Sequence, residues 1–124
     1  IEALTANYQK HDVQADCRAF IENIDEMYAW ADFVICRAGA MTVAELSVLG
    51  LGSLLVPFPF AVDDHQTTNA AYLAQQKTLT VEKLVSILAG LTRKACLKMA
   101  ENARALGKPE ATADVARICM EVAV

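Results

Sequence analysis

The chain has 124 residues, of which 55% are hydrophobic and 21% charged, and its net charge is −4. This composition is typical of one small globular domain and excludes a disordered polypeptide. The acidic balance offers no basic face for a nucleic acid, so we expect no nucleic-acid partner.

The cysteines are widely spaced and form no CxxC pair: Cys17, Cys36, Cys96 and Cys119. With only two histidines, His11 and His65, a zinc site is not predicted. We expect reduced cysteines, mostly buried as small hydrophobic residues of a cytosolic protein. The first residue is not Met, and the opening residues resemble the end of a helix. We therefore expect a piece of a longer protein.

The first quarter of the chain predicts a helix, a strand and a second helix. Residues 1–9 are amphipathic and are followed by a polar run that begins at Lys10. Residues 13–20 alternate between apolar and polar side chains, which predicts a short strand. Residues 24–31 predict a short helix. Aromatic residues near its end are Tyr28 and Trp30; they can stack on a base, but we favour a place in the core.

The middle of the chain alternates strands and helices. Residues 33–36 predict a buried parallel strand, and residues 42–49 predict a helix that Gly50 ends in a C′ position. Residues 53–56 predict a second buried strand, which Pro57 ends because proline cannot donate to a central ladder. A loop over residues 58–65 and a helix over residues 66–74 complete this pattern.

Three helices are predicted at the end of the chain, over residues 81–91, 92–105 and 110–124. Thr80 is the predicted cap of the first, and Gly107 ends the second. An α/β chain needs a further strand near residues 74–79, where the sequence offers a weak strand or none. We predict a single, partial α/β domain over residues 1–124, with a Rossmann-like parallel sheet and helices on both faces.

The turn from Arg37 to Ala40 suits a phosphorylated ligand. It carries no bulky side chain at its tip and leads into a helix with Thr42 at its start and Glu45 one turn later. Free N–H groups at a helix start bind anions, and a carboxylate accepts hydrogen bonds from sugar hydroxyls.

Each of these residues also has a purely structural interpretation. Thr42 and Glu45 fit a capping box that needs no ligand. Arg37 can contact phosphate, but we slightly favour a structural role in which it pairs with Asp32 or Glu45. His65 is interpreted as an exposed loop residue rather than a catalyst. The neighbouring pair Asp63-Asp64 resembles metal ligands, but we favour a role in capping the following helix.

The residues from 20 to 74 carry the run RAGAMTVAE and, after a proline-ended strand, DDHQTTNA. This segment resembles the C-terminal domain of the MurG family of bacterial glycosyltransferases, which have the GT-B fold. The resemblance continues through residues 79–106 and so covers nearly the whole chain. Family members carry extra residues between the helices that begin at residues 66 and 81, and often a leucine where this chain has Met41.

The resemblance implies a donor-binding role in peptidoglycan synthesis. The family transfers N-acetylglucosamine, with inversion, from UDP-N-acetylglucosamine to the lipid-linked acceptor lipid I, giving lipid II. By match of motif, the Ile21 backbone holds uracil, Glu45 binds the ribose, and Gln66 contacts the sugar. The N–H groups that meet the phosphates and sugar belong to Ala40, Met41 and Thr42. Secondary candidates are Arg37, Thr67 and Asn69.

The resemblance also implies what lies elsewhere. The catalytic base, the lipid I site and the membrane contact belong to an N-terminal domain, and the intact enzyme works on the cytoplasmic face of the inner membrane. No catalytic residue, metal or cofactor is expected in this chain. The alternatives are the donor domain of a GT-B enzyme that uses another nucleotide sugar, and a non-catalytic module that binds nucleotide sugars.

Overall fold

The computed structural model describes residues 1–58, 65–73 and 80–123. The chain divides into two compact units, Ile1–Trp30 and Ala31–Val124. The predicted strand near residues 74–79 and the pair Asp63-Asp64 lie outside the described residues.

The first unit contains α1 (Glu2–Lys10) and α2 (Ile24–Trp30). After α1 the chain turns at Asp12, whose φ is 53°, and the Val13 N–H donates to the carbonyl of Tyr8 at 3.0 Å. The prediction of a strand over residues 13–20 is wrong, because this segment has no strand partner among the described residues. Alternating side chains do not form a strand unless a neighbouring strand supplies the hydrogen bonds.

The second unit is built on a strand–helix–strand motif. It consists of β1 (Val34–Cys36), α3 (Ala40–Leu49) and β2 (Ser53–Leu55), with the two strands parallel and Ile35 opposite Leu54. The Val56 N–H donates to the carbonyl of Cys36 at 2.8 Å, which extends the pairing beyond the strands. Both predicted strands form, and the parallel α/β class is confirmed. The prediction that both strands are buried is wrong for β1, because Ile35 at its centre is 48% exposed.

Helix α3 is the centre of the core. Its Leu46 is fully buried, and Val43 and Leu55 of β2 are also buried. Gly50 ends α3 at φ 66°, and the Leu51 N–H donates to the carbonyl of Leu46 at 3.1 Å. This is the predicted left-handed cap, closed as a Schellman motif.

The remaining described helices are α4 (His65–Leu73), α5 (Val81–Gly90), α6 (Arg93–Leu106) and α7 (Ala111–Val122). Helix α4 packs on α3, and α6 packs on both α3 and β2. Thr80 caps α5 as predicted and accepts from the Lys83 N–H at 3.3 Å. Gly107 ends α6, also as predicted. No described helix is long and apolar enough to cross a bilayer.

Two further predictions about buried side chains are wrong. Trp30 is 83% exposed and Tyr28 is only half-buried, so neither lies in the buried core. The cysteines are free, but none of the four is buried: three are half-buried and Cys119 is exposed. The burial of a side chain depends on which neighbouring element covers it, and the residues around it in the sequence do not specify that neighbour.

Candidate functional site

The start of α3 presents backbone donors at the carboxyl end of β1. The first hydrogen bond within the helix runs from the Val43 N–H to the carbonyl of Gly39 at 3.0 Å. The N–H groups of Ala40, Met41 and Thr42 precede it and so have no acceptor within the helix. Gly39 is the N-cap residue and supplies no side-chain cap, and the first turn contains no acidic residue. This helix start is suited to an external anion.

The capping-box interpretation of this segment is wrong. Helix α3 begins at Ala40, so Thr42 is its third residue and not its cap. Thr42 is half-buried, whereas Glu45 is exposed one turn further along the same face.

Arg37 joins the ends of the two strands. Its Nη1 donates to the carbonyl of Pro57 at 3.1 Å and to that of Val56 at 3.4 Å. Its Cζ lies 5.5 Å from the centroid of the Phe58 ring, within the range of a cation–π contact. Asp32, a predicted partner of Arg37, instead pairs with Arg93 at 3.7 Å. The predicted ion pair of Arg37 with Asp32 is therefore wrong, and the hydrogen bonds described for Arg37 go to main-chain carbonyl oxygens instead.

Helix α4 contributes two side-chain amides to the same edge of the sheet. Gln66 Oε1 accepts from the Phe58 N–H at 2.9 Å, and Asn69 Nδ2 donates to the carbonyl of Ala38 at 3.1 Å. Ala38 is fully buried immediately before the start of α3. These two bonds hold the beginning of α4 against both loops that follow the strands.

The structure thus brings seven of the predicted residues to one edge of the second unit, where parallel strands end and two helices begin: Arg37, Ala40, Met41, Thr42, Glu45, Gln66 and Asn69. Thr67 is half-buried on α4, between Gln66 and Asn69 in sequence. The carboxyl edge of a parallel sheet is where α/β folds bind ligands. Ile21 belongs to the first unit and is exposed there.

Two residues contribute to this site although the sequence analysis did not include them among its candidates. Gly39 is the cap that leaves the helix start open, and Phe58 contacts both Arg37 and Gln66. The small residues of the turn are a signal for the first. For Phe58 the signal is only its place after the proline-ended strand.

Three other residue types with possible chemical roles were considered in the sequence: cysteine, potential metal ligands and histidine. Burial raises the pKa of the Cys36 thiol at the end of β1. Among the residues that the structure describes, no group of three or more His, Cys, Asp or Glu side chains is placed to hold a metal ion. His65 is the first residue of α4 rather than a loop residue.

The chain matches the family model of the glycosyltransferase family 28 C-terminal domain over residues 2–117. Among curated proteins it is 55% identical to the UDP-N-acetylglucosamine–N-acetylmuramyl-(pentapeptide) pyrophosphoryl-undecaprenol N-acetylglucosamine transferase of Azoarcus sp., with 99% of this chain and 37% of the relative covered. The enzyme of the same name from Neisseria meningitidis serogroup A is 51% identical, with 98% and 36% covered.

Among solved structures, the crystal structure of MurG from Acinetobacter baumannii matches with a TM-score of 0.88 and 36% identity, over 98% of this chain and 40% of that one. The chain spans little more than a third of the length of the curated relatives it matches, 37% in the Azoarcus protein. The family match, the level of identity and the shared fold agree, and the chain belongs to glycosyltransferase family 28, of which it carries the C-terminal domain.

Proposed function

We propose that this chain binds the donor nucleotide sugar of a family 28 glycosyltransferase, and that the donor is UDP-N-acetylglucosamine. The observation that carries the proposal is the start of α3, which has no side-chain cap and where three backbone N–H groups precede the first helical hydrogen bond. A diphosphate is the part of a nucleotide sugar that such a site suits. The names of the relatives supply the identity of the sugar and nucleotide.

The contacts we assign follow the order of the ligand's parts. The N–H groups of Ala40, Met41 and Thr42 bind the diphosphate, and the Glu45 carboxylate accepts from the ribose hydroxyls. Gln66 contacts the sugar. The assignment of uracil to the Ile21 backbone comes from the family resemblance and stays a prediction.

The reaction we propose is inverting transfer. The acceptor hydroxyl attacks the anomeric carbon, the bond from that carbon to the diphosphate oxygen breaks, and the hydroxyl proton passes to a general base. The diphosphate gains negative charge as it leaves, and the positive end of the α3 dipole stabilises that charge. No residue of this chain is assigned as the base.

The acceptor is expected to be the one that the relatives' names give, the pyrophosphoryl-undecaprenol-linked muramyl pentapeptide. We propose that the acceptor, the base and the membrane contact involve the part of the relatives that this chain does not match. The intact enzyme would then act on the cytoplasmic face of the bacterial inner membrane, in cell-wall synthesis.

The test uses a hybrid protein in which this chain replaces the matching segment of the Azoarcus relative. We expect the hybrid to transfer N-acetylglucosamine from the UDP-sugar to a lipid I analogue, and the 124-residue chain to form no product. The unaltered relative is the positive control. A hybrid that folds but has lost transfer would contradict the assigned donor role. Product formed by the chain alone would overturn the assignment of the base to the unmatched part.

A further inference from the structure

Arg37 is the residue that connects the two strand ends of the site. It directly follows β1 in the sequence. Its Nη1 donates to the carbonyls of Val56 and Pro57, which follow β2, at 3.4 and 3.1 Å. The guanidinium also faces the Phe58 ring at 5.5 Å. One side chain, from the residue that follows the neighbouring strand, therefore contacts three consecutive residues after β2.

The next link joins this segment to Gln66. The Phe58 N–H lies 2.9 Å from an atom of the Gln66 amide. A backbone N–H can only donate, so that atom is the amide oxygen Oε1. This hydrogen bond therefore determines which end of the Gln66 amide is the oxygen and which is the nitrogen. With the oxygen engaged, the amide nitrogen Nε2 is the end that offers donors to a ligand.

We propose that Arg37 is a positioning residue that acts through the Val56–Phe58 backbone to hold the Gln66 amide with its donor end toward the sugar of the nucleotide sugar. The inference rests on the proposed function, since it assigns a task to one side of that site. It predicts that Arg37 affects recognition of the sugar and not of the nucleotide diphosphate. An arginine that bound phosphate directly would affect both alike.

The variant Arg37→Met separates these roles, because it keeps a long side chain over Phe58 and removes the donors to the two carbonyls. Arg37→Lys keeps the positive charge but cannot reproduce the planar fork of the guanidinium. Arg93→Ala is the matched control: Arg93 is an arginine of the same unit, is 90% exposed and pairs with Asp32.

Binding is measured by nuclear magnetic resonance titration of the 124-residue chain with UDP and with UDP-N-acetylglucosamine. We expect the side-chain amide signals of Gln66 to shift with the UDP-sugar and not with UDP. In Arg37→Met the dissociation constant for the UDP-sugar should rise about three- to tenfold, the loss of one neutral hydrogen bond, while that for UDP changes less than about twofold. Arg37→Lys should recover less than half of the loss.

Gln66→Ala completes a double-mutant cycle. If Arg37 acts through Gln66, then Arg37→Met has no further effect on the UDP-sugar in the Gln66→Ala background. Equal loss for UDP and the UDP-sugar, full rescue by Lys, or independent effects of the two substitutions would each overturn the inference while leaving the donor site intact. A wild-type chain that binds neither ligand, with the dispersed spectrum of a folded protein, would overturn the proposed function and this inference with it.

Discussion

Asn69 Nδ2 donates to the main-chain carbonyl of Ala38 at 3.1 Å, a bond that connects residues 31 positions apart. Ala38 is fully buried directly in front of the Gly39 cap, so this bond fixes the turn from which α3 starts. This bond uses one of the two N–H donors of the Asn69 amide in the fold. Helix α4 packs on α3. The bond from Asn69 to Ala38 therefore helps to hold the starts of α3 and α4 at the same edge of the sheet.

Gly39→Asp should separate stability from binding. Gly39 has φ −65° and ψ 145°, a conformation that Asp adopts readily at an N-cap. The new carboxylate would accept from the N–H groups at the start of α3 and raise the free energy of unfolding by about a few tenths of a kcal/mol. By occupying those donors and repelling the diphosphate, it should weaken UDP binding more than about tenfold, or by at least ~1.4 kcal/mol.

Two matched variants at Gly39 distinguish the possible causes of weaker UDP binding. Gly39→Asn caps the helix without a charge, so it isolates the occupation of the donors from the repulsion. Gly39→Ala places a methyl group 3.6 Å from Thr42 Oγ1, an ordinary contact, and so should fold. Titration calorimetry and thermal melts give both quantities. Wild-type affinity for UDP in Gly39→Asp would show that the helix start does not bind the phosphates.

Glu45→Ala should weaken donor binding. Loss of a charged acceptor from the ribose hydroxyls is expected to cost about 1.5–3 kcal/mol, or roughly tenfold to a hundredfold in affinity. Stability should change little, because Glu45 is exposed. Glu101→Ala removes an exposed carboxylate from α6 and is the control. Deoxyribose analogues of UDP complete the comparison: they should bind wild type weakly, and Glu45→Ala should bind them as it binds UDP. A variant that still prefers UDP to the analogues would refute the ribose role.

The site should prefer uridine nucleotides. The family resemblance assigns the base to the backbone of Ile21, and main-chain groups can pair with the polar edge of uracil whatever the side chain is. We expect UDP to bind more tightly than ADP or GDP in calorimetry. Ile21→Val keeps the backbone groups and should keep the preference, whereas Ile21→Pro removes the N–H and should reduce it. Equal affinities for the three diphosphates in the wild type would exclude the assignment.

Gly107→Ala should destabilise the second unit. A Cβ at this position would lie 2.7 Å from the carbonyl oxygen of Ser47 in α3, and backbone must move to make room. We expect a loss of about 1–3 kcal/mol in the free energy of unfolding. Gly90→Ala is the matched control, because a Cβ there meets nothing within 4 Å, and it should be neutral or stabilising by less than ~1 kcal/mol. Similar denaturation midpoints for the two variants would contradict the close packing of α6 on α3.

Cys36 should be the slower of two thiols to be alkylated. It is half-buried, and burial raises its pKa, so the reactive thiolate forms at higher pH than in an ordinary cysteine. Cys119 is exposed on α7. Mass spectrometry after brief treatment with iodoacetamide at about pH 8 should find Cys119 labelled first, and the Cys36 rate should keep rising at higher pH. Equal labelling rates of the two thiols would contradict the burial of Cys36.

Much of the secondary structure is predictable because its determinants are local. Thr80 and Thr92 accept from N–H groups three residues later, at 3.3 and 3.1 Å, and Gly50 adopts the left-handed conformation that ends α3. Such signals need only the residues of one turn. The two strands are short apolar runs in a strand–helix–strand pattern, which is enough to indicate a parallel sheet. The residue types and spacing from Arg37 to Glu45 also predict an anion site, and that assignment stays a prediction.

Contacts between residues far apart in the sequence could not be predicted, because a local stretch of sequence does not identify the partner of each side chain. Arg37 finds carbonyl oxygens 19 and 20 residues away, and Gln66 turns its oxygen to an N–H 8 residues back. Residues 13–20 have the pattern of a strand, yet they form none among the described residues, because no neighbouring strand pairs with them. Local residues thus specify where helices can begin and end and which groups suit a phosphorylated ligand. Packing specifies which of those groups meet, because long-range hydrogen bonds and burial depend on the fold as a whole.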